Sequence, residues 1–341
     1  MNKSILIQEN ENHDIQEEVI INQIIISIRS NLSGSLKSLD STSEMQFYKY
    51  LNISEVDRCA FSYNWPYTIQ ATRARGYYYQ SNQSIIYFYL RKNSNQSYPF
   101  TLVIVNFLGH DPQTLVYQIS EAAKKLNLET IIKNVDRDKI EAWKNFGFRE
   151  TLEPWSQYSF RDDNTYPEFV YDINKFINLE FSSRTRTLIR KISRETNYTF
   201  VPYSSSFRDS GLRLLGRNSE YLENKGVDFK DEVMNAHDFV FDENIRNKIV
   251  LAILDDDKLI GLSYLTHFGE TLFFNAIINE NKSNLMRFLL WKSVVFYCDN
   301  LEETQKPCYL ALQGSENEGQ CKWKVYFNPV RTIQRTHLTN R

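Results

Sequence analysis

The sequence has few residues of the kinds that build metal and redox sites, and they are not grouped. Its four cysteines, Cys59, Cys298, Cys308 and Cys321, show no Cys-x-x-Cys spacing, and its five histidines show no HxxxH or HExxH pair. Such pairs are the usual sequence sign of a metal site or a redox centre. We therefore expect no metal, and reduced thiols in a cytoplasmic protein.

Long apolar runs and a large net charge are absent as well. The longest uncharged apolar run near the start, Val19–Ile28, is ten residues long and contains polar side chains, whereas a membrane span needs about 20 apolar residues. Acidic residues precede this run, where a signal peptide would be basic. The net charge is −2, so a polyanionic partner requires a local basic patch. We expect no membrane partner.

Size and composition indicate a globular protein with a substantial core. The chain has 341 residues, of which 42% are apolar and 14% aromatic. This length allows two domains of ordinary size. The apolar content is too high for a disordered chain, so we expect a folded protein with two domains.

The first half of the chain predicts a mixed α/β domain. Apolar residues at helical spacing predict helices over 15–30 and 44–60, and Asp111 with Pro112 marks the start of another. Ser62–Tyr67 is predicted to be an aromatic loop that either covers the core or contacts substrate. Branched and aromatic residues indicate strands at 77–80, 85–90, 101–107, 130–133 and 148–152.

The second half repeats this order of elements without repeating the sequence. It predicts a strand at 168–172, a helix at 181–196 and a strand at 198–202. Helices are predicted over 206–223 and 228–240. The remaining elements are three strands, an apolar helix, a strand and a final helix, at 248–254, 259–265, 270–277, 283–299, 309–313 and 317–326.

The end of the chain combines several features of a ligand site. A short apolar strand, Tyr309–Gln313, runs into Gly314, and a short polar segment leads from there to a helix that carries lysines. A flexible glycine, a helix N-terminus and cationic side chains then lie at one point. Such a point suits a ligand with a carboxylate, a carbonyl or a phosphate.

Several stretches together resemble the tandem-GNAT proteins of the FemABX and phosphatidylglycerol lysyltransferase C-terminal group. They cover roughly residues 45–335. The stretches are Trp65 in its aromatic segment, Phe146–Phe148, Glu168–Asp172, the arginine-rich helix Arg184–Arg194, and Gln313–Glu316 with Lys324, Phe327 and Pro329.

The resemblance implies an α/β (α+β) fold with two tandem GNAT-like domains, each a mixed central sheet flanked by helices. We assign 1–30 to an N-terminal extension or helix, 31–155 to the first domain and 156–341 to the second. The first domain is expected to be degenerate and supportive, and the second to be active. Proteins of this group move an acyl group, often an aminoacyl group from charged tRNA, onto an amine or hydroxyl.

The glycine-rich loop that holds coenzyme A in GNAT domains is absent from both halves. That loop offers bare backbone N–H groups to the pyrophosphate at a helix N-terminus. Leu108–Gln113 instead has Asp111 at the cap and Pro112 without an N–H, and Asn279–Asn284 has no glycine. We therefore expect no bound cofactor and disfavour coenzyme A; the donor is aminoacyl-tRNA or an acyl group on a carrier protein. Lys282 either contacts a phosphate or is a solvated loop lysine.

The arginine-rich helix provides a local basic patch. At 100° per residue, Leu188, Ile189 and Ile192 fall within an arc of about 40–140°, and the rest of the surface is cationic, with Glu195 as the one offsetting charge. This surface either binds tRNA or an acyl carrier protein, or is simply solvated. The candidate contacts are Arg184, Arg186, Arg190, Lys191 and Arg194.

Acyl transfer to an amine needs alignment, a path for a proton and stabilisation of an oxyanion. We assign catalytic roles to Glu316, Ser315 and Asn275. Glu316 either holds or deprotonates a substrate ammonium, or caps the final helix. Asn275, a polar residue in an apolar strand, either orients an acyl carbonyl or satisfies a bulged backbone.

Five further residues are candidates for substrate binding. Lys324 either pairs with a carboxylate or a phosphate, or is a surface lysine. The full set is Gly314, Lys324, Trp65, Tyr309 and Tyr264.

Three functional hypotheses follow. The first is a tandem-GNAT transferase that joins an aminoacyl or acyl group to an amine or hydroxyl of a small-molecule acceptor. The second is an N-acyltransferase that uses acyl-CoA or an acyl carrier protein. The third is a non-catalytic tandem-GNAT module that holds a ligand. The sequence leaves the acceptor and the oligomeric state open.

Overall fold

A computed structural model of the chain describes residues 3–40, 42–72, 76–92, 99–151, 167–223, 248–280, 285–312 and 318–340. The chain forms two compact units built from interleaved segments. The first unit comprises Met1–Glu55, Ala74–Thr151 and Thr336–Arg341, and the second comprises Val56–Arg73 and Leu152–Arg335.

Helices and strands alternate along both units. The described helices are α1 (Lys3–Ser30), α2 (Ser43–Asn52), α3 (Trp65–Thr72), α4 (Pro112–Lys124), α5 (Ile140–Lys144), α6 (Ile173–Ile177), α7 (Ser183–Glu195), α8 (Arg208–Glu223), α9 (Leu285–Asp299) and α10 (Glu318–Val325). The described strands are β1 (Ser35–Ser38), β2 (Tyr77–Gln80), β3 (Ser84–Lys92), β4 (Phe100–Gly109), β5 (Glu129–Asp136), β6 (Arg149–Thr151), β7 (Glu168–Asp172), β8 (Thr199–Pro202), β9 (Lys248–Asp255), β10 (Lys258–Phe268), β11 (Thr271–Asn279), β12 (Tyr309–Leu312), β13 (Arg331–Ile333) and β14 (Arg335–Thr339).

Each unit contains one mixed sheet of seven strands. The order is β1-β2-β3-β4-β5-β14-β6 in the first sheet and β13-β7-β12-β11-β10-β9-β8 in the second. In both sheets an antiparallel meander leads to a helix and then to a parallel strand, β5 beside β4 and β12 beside β11. The fold class is therefore mixed α/β with two GNAT-like sheets, as the sequence predicts.

The core of the first unit lies between its sheet and helices α1 and α4. Ile21, Ile25 and Ile28 bury one face of α1, and Val116 and Ile119 do the same for α4. The spacing of three and four residues places these side chains on one stripe of each helix. The core of the second unit is more aromatic, and four of its rings pack edge to face or stack: Tyr171, Phe176, Phe181 and Phe327.

Two short segments interleave the units along the chain. Strand β14, at the end of the chain, lies between β5 and β6 in the first sheet. Residues 56–73 belong to the second unit although they precede most of the first. The predicted boundaries assign residues 56–73 to the first domain and 336–341 to the second, whereas these segments belong to the second and the first compact unit, respectively.

Most elements lie where the sequence predicts them, with three corrections. The predicted loop Ser62–Tyr67 is wrong at its end, because helix α3 begins at Trp65 with Pro66 in its first turn, a position that suits proline. The helix predicted over 44–60 ends at Asn52. Strands β1, β13 and β14 were not predicted. The helix predicted over 228–240 lies outside the described residues.

Candidate functional site

A β-bulge in the second sheet displaces one polar residue from the regular pairing. Tyr264 of β10 pairs with Ala276 of β11, and the next residue, Leu265, pairs with Phe274. Asn275 is therefore the extra residue of the bulge. Bulges change the direction of a side chain and are common beside active sites.

The described parallel pairing of β11 with β12 reaches the same point. Its last described pair joins Phe274 to Leu312, and β11 continues to Asn279. The residues of β11 before this point are buried, but Asn275–Ile277 are partly exposed. Strand β11 is thus buried along its described pairing with β12 and becomes partly exposed at the bulge. An opening of this kind offers backbone and side-chain groups to an extended ligand.

Three side chains form a closed ring of hydrogen bonds at the bulge. Asn64 Nδ2 donates to Asn275 Oδ1 at 2.7 Å, Asn275 Nδ2 donates to Thr266 Oγ1 at 3.0 Å, and Thr266 Oγ1 donates to Asn64 Oδ1 at 3.1 Å. Asn64 and Thr266 are buried, while Asn275 is partly exposed. The ring therefore fixes the Asn275 amide at the opening.

The Asn275 amide keeps hydrogen-bonding capacity for a ligand. An amide has two N–H donors and an oxygen with two lone pairs, and the ring engages one N–H and one lone pair of Asn275. The other N–H can donate to an acyl carbonyl, and the oxygen can accept from an amine. The three side chains are neutral, so this arrangement orients groups but does not move protons.

Asn64 reaches the ring from the start of α3. Its backbone is extended (φ −110°, ψ 126°) directly before the helix begins, a conformation that is common at the residue before a helix. Its carbonyl accepts from the backbone N–H of Thr68 at 3.2 Å. The helix start thus places Asn64, while its side chain bonds to β10 and β11.

The structure does not bring all the sequence-predicted residues to this opening. Tyr309 pairs with Thr271 at the other end of the parallel strands; four residues along β11 from there to Asn275 correspond to about 13 Å. Tyr264, on β10, is buried, and burial raises the pKa of its phenol, which therefore stays neutral.

The other candidates for catalysis and substrate binding are divided between buried positions and segments outside the described residues. Trp65 is buried in α3, and Lys324 is buried in α10, where its backbone carbonyl accepts from Tyr171 Oη at 3.0 Å. Gly314, Ser315 and Glu316, together with Lys282, lie outside the described residues.

Helix α7 has the predicted amphipathic form. Thr185 and Ile189 are buried, and Leu188 and Ile192 are half-buried. The predicted cationic residues lie on the remaining surface, where Arg184, Arg190, Lys191 and Arg194 are exposed and Arg186 is half-buried.

The first sheet contains the same bulge with different side chains. Tyr87 pairs with Asn106 and Phe88 pairs with Ile104, so Val105 is the extra residue of β4. The parallel pairing with β5 also ends at Ile104. All ten residues of β4 are buried, so the first sheet is closed where the second one is open.

The backbone N–H groups before α4 already have partners inside the first unit. Pro112 offers no N–H, and four neighbouring N–H groups donate to protein oxygens. The pairs are Gly109 with Ser54 Oγ at 2.6 Å, His110 with the Gln83 carbonyl at 3.1 Å, Asp111 with Ser84 Oγ at 3.0 Å, and Thr114 with Asp111 Oδ1 at 3.2 Å. These groups are therefore not available to hold a pyrophosphate.

The remaining titratable groups near β11 have structural environments. His267 Nε2 donates to the Gly269 carbonyl at 2.9 Å, and its Nδ1 accepts from Tyr297 Oη at 2.9 Å. Burial lowers the pKa of His267 and raises that of Tyr297 to about 12. Burial also raises the pKa of the Cys59 and Cys298 thiols, which makes both poor nucleophiles.

No described helix has the length and apolar character needed to cross a membrane. No three His, Cys, Asp or Glu side chains group as metal ligands within the described part of the chain.

Comparison by sequence gives no match, whereas comparison by structure does. No protein-family model matches the sequence, and no curated protein matches it. FemX superposes with a TM-score of 0.60 at 10% identity, covering 90% of this chain and 97% of FemX. L-PGS from Bacillus licheniformis gives 0.56 at 13% identity, covering 87% and 91% of the two chains.

A third solved structure also superposes on most of this chain. A tandem GNAT protein from the clavulanic acid biosynthesis pathway gives a TM-score of 0.51 at 10% identity, with 90% of this chain and 98% of that protein covered. At these identities the likeness concerns the fold. With two bulged seven-stranded sheets and these structural neighbours, the chain has the tandem-GNAT fold of the FemABX type.

Proposed function

We propose that this protein is an acyltransferase whose active site is the opening at Asn275. It transfers an aminoacyl group from aminoacyl-tRNA to an amine or hydroxyl of a small acceptor. One observation carries the proposal: β11 is partly exposed at its bulge, around an amide fixed by two buried partners, whereas the equivalent strand β4 is wholly buried. The second unit is therefore the active one, and the first is supportive.

The fold supports a transferase. FemX, L-PGS and the tandem GNAT protein superpose on 87–90% of the present chain. That likeness concerns the fold, and the donor is inferred below from residues of this chain.

The chemistry of the opening suits the attack of an amine on an ester. The Asn275 N–H donates to the acyl carbonyl oxygen and stabilises the charge that develops there. A bond forms between the acceptor nitrogen and the acyl carbon, and the bond between that carbon and the tRNA ribose oxygen breaks. We assign Glu316 to take the proton from the nitrogen and return it to the ribose oxygen, with Ser315 and Gly314 beside it.

The donor is inferred from two features. The N–H groups before α4 are engaged inside the protein, and the loop before α9 has no glycine, so a glycine-supported site for the coenzyme A pyrophosphate is disfavoured. Helix α7 offers a cationic surface to a tRNA backbone. Charged tRNA occurs in the cytoplasm, which is where we place the protein.

The proposed substrate pocket has fewer direct contacts than the sequence suggests. Tyr264 and Trp65 are buried, so they support the walls of the opening. Lys324 is buried as well, and Tyr309 lies at the other end of the parallel strands, so we assign neither of them a direct contact at this opening.

The test offers each donor in turn and follows deacylation. Purified protein is incubated with a mixture of aminoacylated tRNAs, with acyl-CoA and with an acyl carrier protein, each with a panel of small amines. Turnover of charged tRNA that is lost in Asn275→Ala and kept in Ser263→Ala supports the proposal. Ser263 is a matched control, because it is a buried polar residue on the neighbouring strand that lies outside the ring.

The other outcomes separate the alternatives. Deacylation of acyl-CoA or of the carrier protein alone refutes the tRNA donor and supports the second hypothesis. Tight ligand binding without turnover of any donor refutes the enzyme and supports a binding module.

A further inference from the structure

An open groove of about 310 Å³ lies between α7 and α9 in the second unit. Its lining residues are Arg184, Thr187, Leu188, Lys191 and Arg287. Three of these side chains are cationic and none is anionic. Arg287 is not part of the basic patch that the sequence predicts, and the structure adds it from a different helix.

Arg184 occupies a position where a helix disfavours positive charge. It is the second residue of α7, whose first turn has no acidic residue, and Arg287 joins it from the described part of α9. The N-terminal turn of a helix carries a partial positive charge that repels cations and attracts anions. The positive end of α7 therefore adds to the charge of Arg184 beside the groove, and Arg287 contributes a second cation from α9.

The cations of the groove lack strong partners within the described residues. No described carboxylate lies within ion-pair distance of Arg184 or Arg287. Lys191 lies 3.9 Å from Glu195, but both side chains are largely exposed, so this pair is weak. Burial lowers the pKa of Arg287, and the charge of Arg184 lowers it further.

Arg287 is nevertheless held in place. Its guanidinium lies 5.3 Å from the centre of the Tyr326 ring, in a cation–π contact that orients the side chain. A fixed guanidinium presents a planar set of donors that matches two oxygens of a phosphate. Thr187 adds a hydroxyl, and Leu188 provides an apolar wall.

We propose that this groove binds a phosphate group of a phosphate-bearing ligand through Arg184, Lys191 and Arg287. The excess of positive charge favours a multiply charged phosphate over a single carboxylate. The site goes beyond the proposed function, because it includes Arg287 and does not depend on which donor is used.

The same helix offers a matched control. Arg186, Arg190 and Arg194 do not line the groove and follow one another at a spacing of four residues, which places them on a separate stripe of α7. Arg190→Gln thus makes the same change in net charge on the same helix, outside the proposed site.

The experiment measures binding of inorganic pyrophosphate by calorimetry at constant ionic strength. We expect Arg184→Gln and Arg287→Gln each to weaken binding about tenfold or more, and Arg190→Gln to change it by less than about twofold. Circular dichroism and thermal unfolding check that each variant is folded, and Arg287→Lys, which keeps the charge, should retain part of the affinity. Equal weakening by all three glutamine variants would show a diffuse electrostatic field and overturn the proposal.

Two further probes identify the source of the phosphate. A short oligoribonucleotide and 4′-phosphopantetheine are titrated into the same variants. If the oligoribonucleotide binds with the same dependence on Arg184 and Arg287, the ligand is a nucleic acid. If 4′-phosphopantetheine does so, the ligand is a pantetheine, and binding of pyrophosphate alone identifies a free polyphosphate. No binding of any probe overturns the proposal. Because the readout is binding, a protein that binds pyrophosphate without transferring an acyl group refutes the proposed function and leaves the groove standing.

Discussion

Thr266→Val tests whether the ring at the bulge fixes Asn275. Valine has nearly the shape of threonine but removes the hydroxyl, which donates to Asn64 Oδ1 and accepts from Asn275 Nδ2. Asn275 is partly exposed, so water can replace its lost partner. Asn64 is 2% exposed, so its oxygen is left buried without a partner.

The expected loss of stability follows from what happens to these two hydrogen-bonding groups. An unsatisfied buried polar group costs about 1–3 kcal/mol, and a lost hydrogen bond that water can replace costs about 1 kcal/mol. The methyl group that replaces the hydroxyl recovers part of this by apolar burial. We expect Thr266→Val to lower the free energy of unfolding by about 2–3 kcal/mol, and to lower kcat in proportion to the lost orientation of Asn275.

The control comes from the same strand. Ser263 is fully buried, and its hydroxyl has no hydrogen-bond partner among the described residues. Removing an unpaired buried hydroxyl costs little or is favourable, so Ser263→Ala should change stability by less than about 0.5 kcal/mol.

Urea unfolding measures both variants, and a double-mutant cycle completes the test. Asn64→Ala and Thr266→Val break the same ring, so their combined effect should fall short of the sum by about 1 kcal/mol or more. Additive effects, or a larger loss in Ser263→Ala than in Thr266→Val, would refute the ring as a stabilising unit.

Three other predictions concern single residues. The pKa of His267 is lower in the folded protein than its ordinary value of about 6.5. The unfolded state therefore binds protons more readily, and the free energy of unfolding falls as the pH drops below that value. Urea midpoints across the pH range should show this fall in the natural protein and not in His267→Gln. Gly109→Ala should prevent folding, or lower the thermal unfolding temperature several times more than Gly147→Ala does. Both glycines have positive φ, but a Cβ at Gly109 lies 2.1 Å from a backbone oxygen, whereas nothing lies within 4 Å of a Cβ at Gly147. Asp111→Ala should cost about 1 kcal/mol by loss of the α4 cap, whereas an unchanged urea midpoint would contradict that role.

The sequence predicted the parts of the fold that depend on local patterns. Strand β2 and the N-terminus of α4 lie where aromatic residues, aspartate and proline predict them. The order of elements was sufficient to identify two GNAT-like sheets. These signals are carried by neighbouring residues, so no knowledge of distant partners is needed.

Strand β14 was missed because its burial depends on distant residues. All five residues, Arg335–Thr339, are buried although four of them are polar. Thr339 Oγ1 donates to Glu129 at 2.9 Å, and His337 Nδ1 accepts from the Asn134 N–H at 3.3 Å. A strand that satisfies its polar groups across a sheet has no apolar alternation to reveal it.

The candidate site was predicted in part for the same reason. Asn275 was identified as a polar residue within an apolar strand, but its partners Asn64 and Thr266 are distant in sequence. A local signal for Asn64 did exist, since asparagine before a tryptophan and a proline is a typical helix start. For Arg287 no local signal existed, because the groove depends on the packing of α9 against α7.

The two sheets have a β-bulge at equivalent positions, but the bulged strand is buried in the first sheet and partly exposed in the second. In both, the last described parallel pair lies one residue before the bulge. The bulged residue is Val105 in the first sheet, where it is fully buried, and Asn275 in the second, where it is partly exposed. A valine at this point contributes apolar contacts and closes the sheet, whereas an asparagine requires hydrogen-bond partners and keeps an N–H for a ligand. If the proposed reaction takes place at the bulge, the side chain at the bulged position distinguishes the sheet that can bind a ligand there from the sheet that cannot.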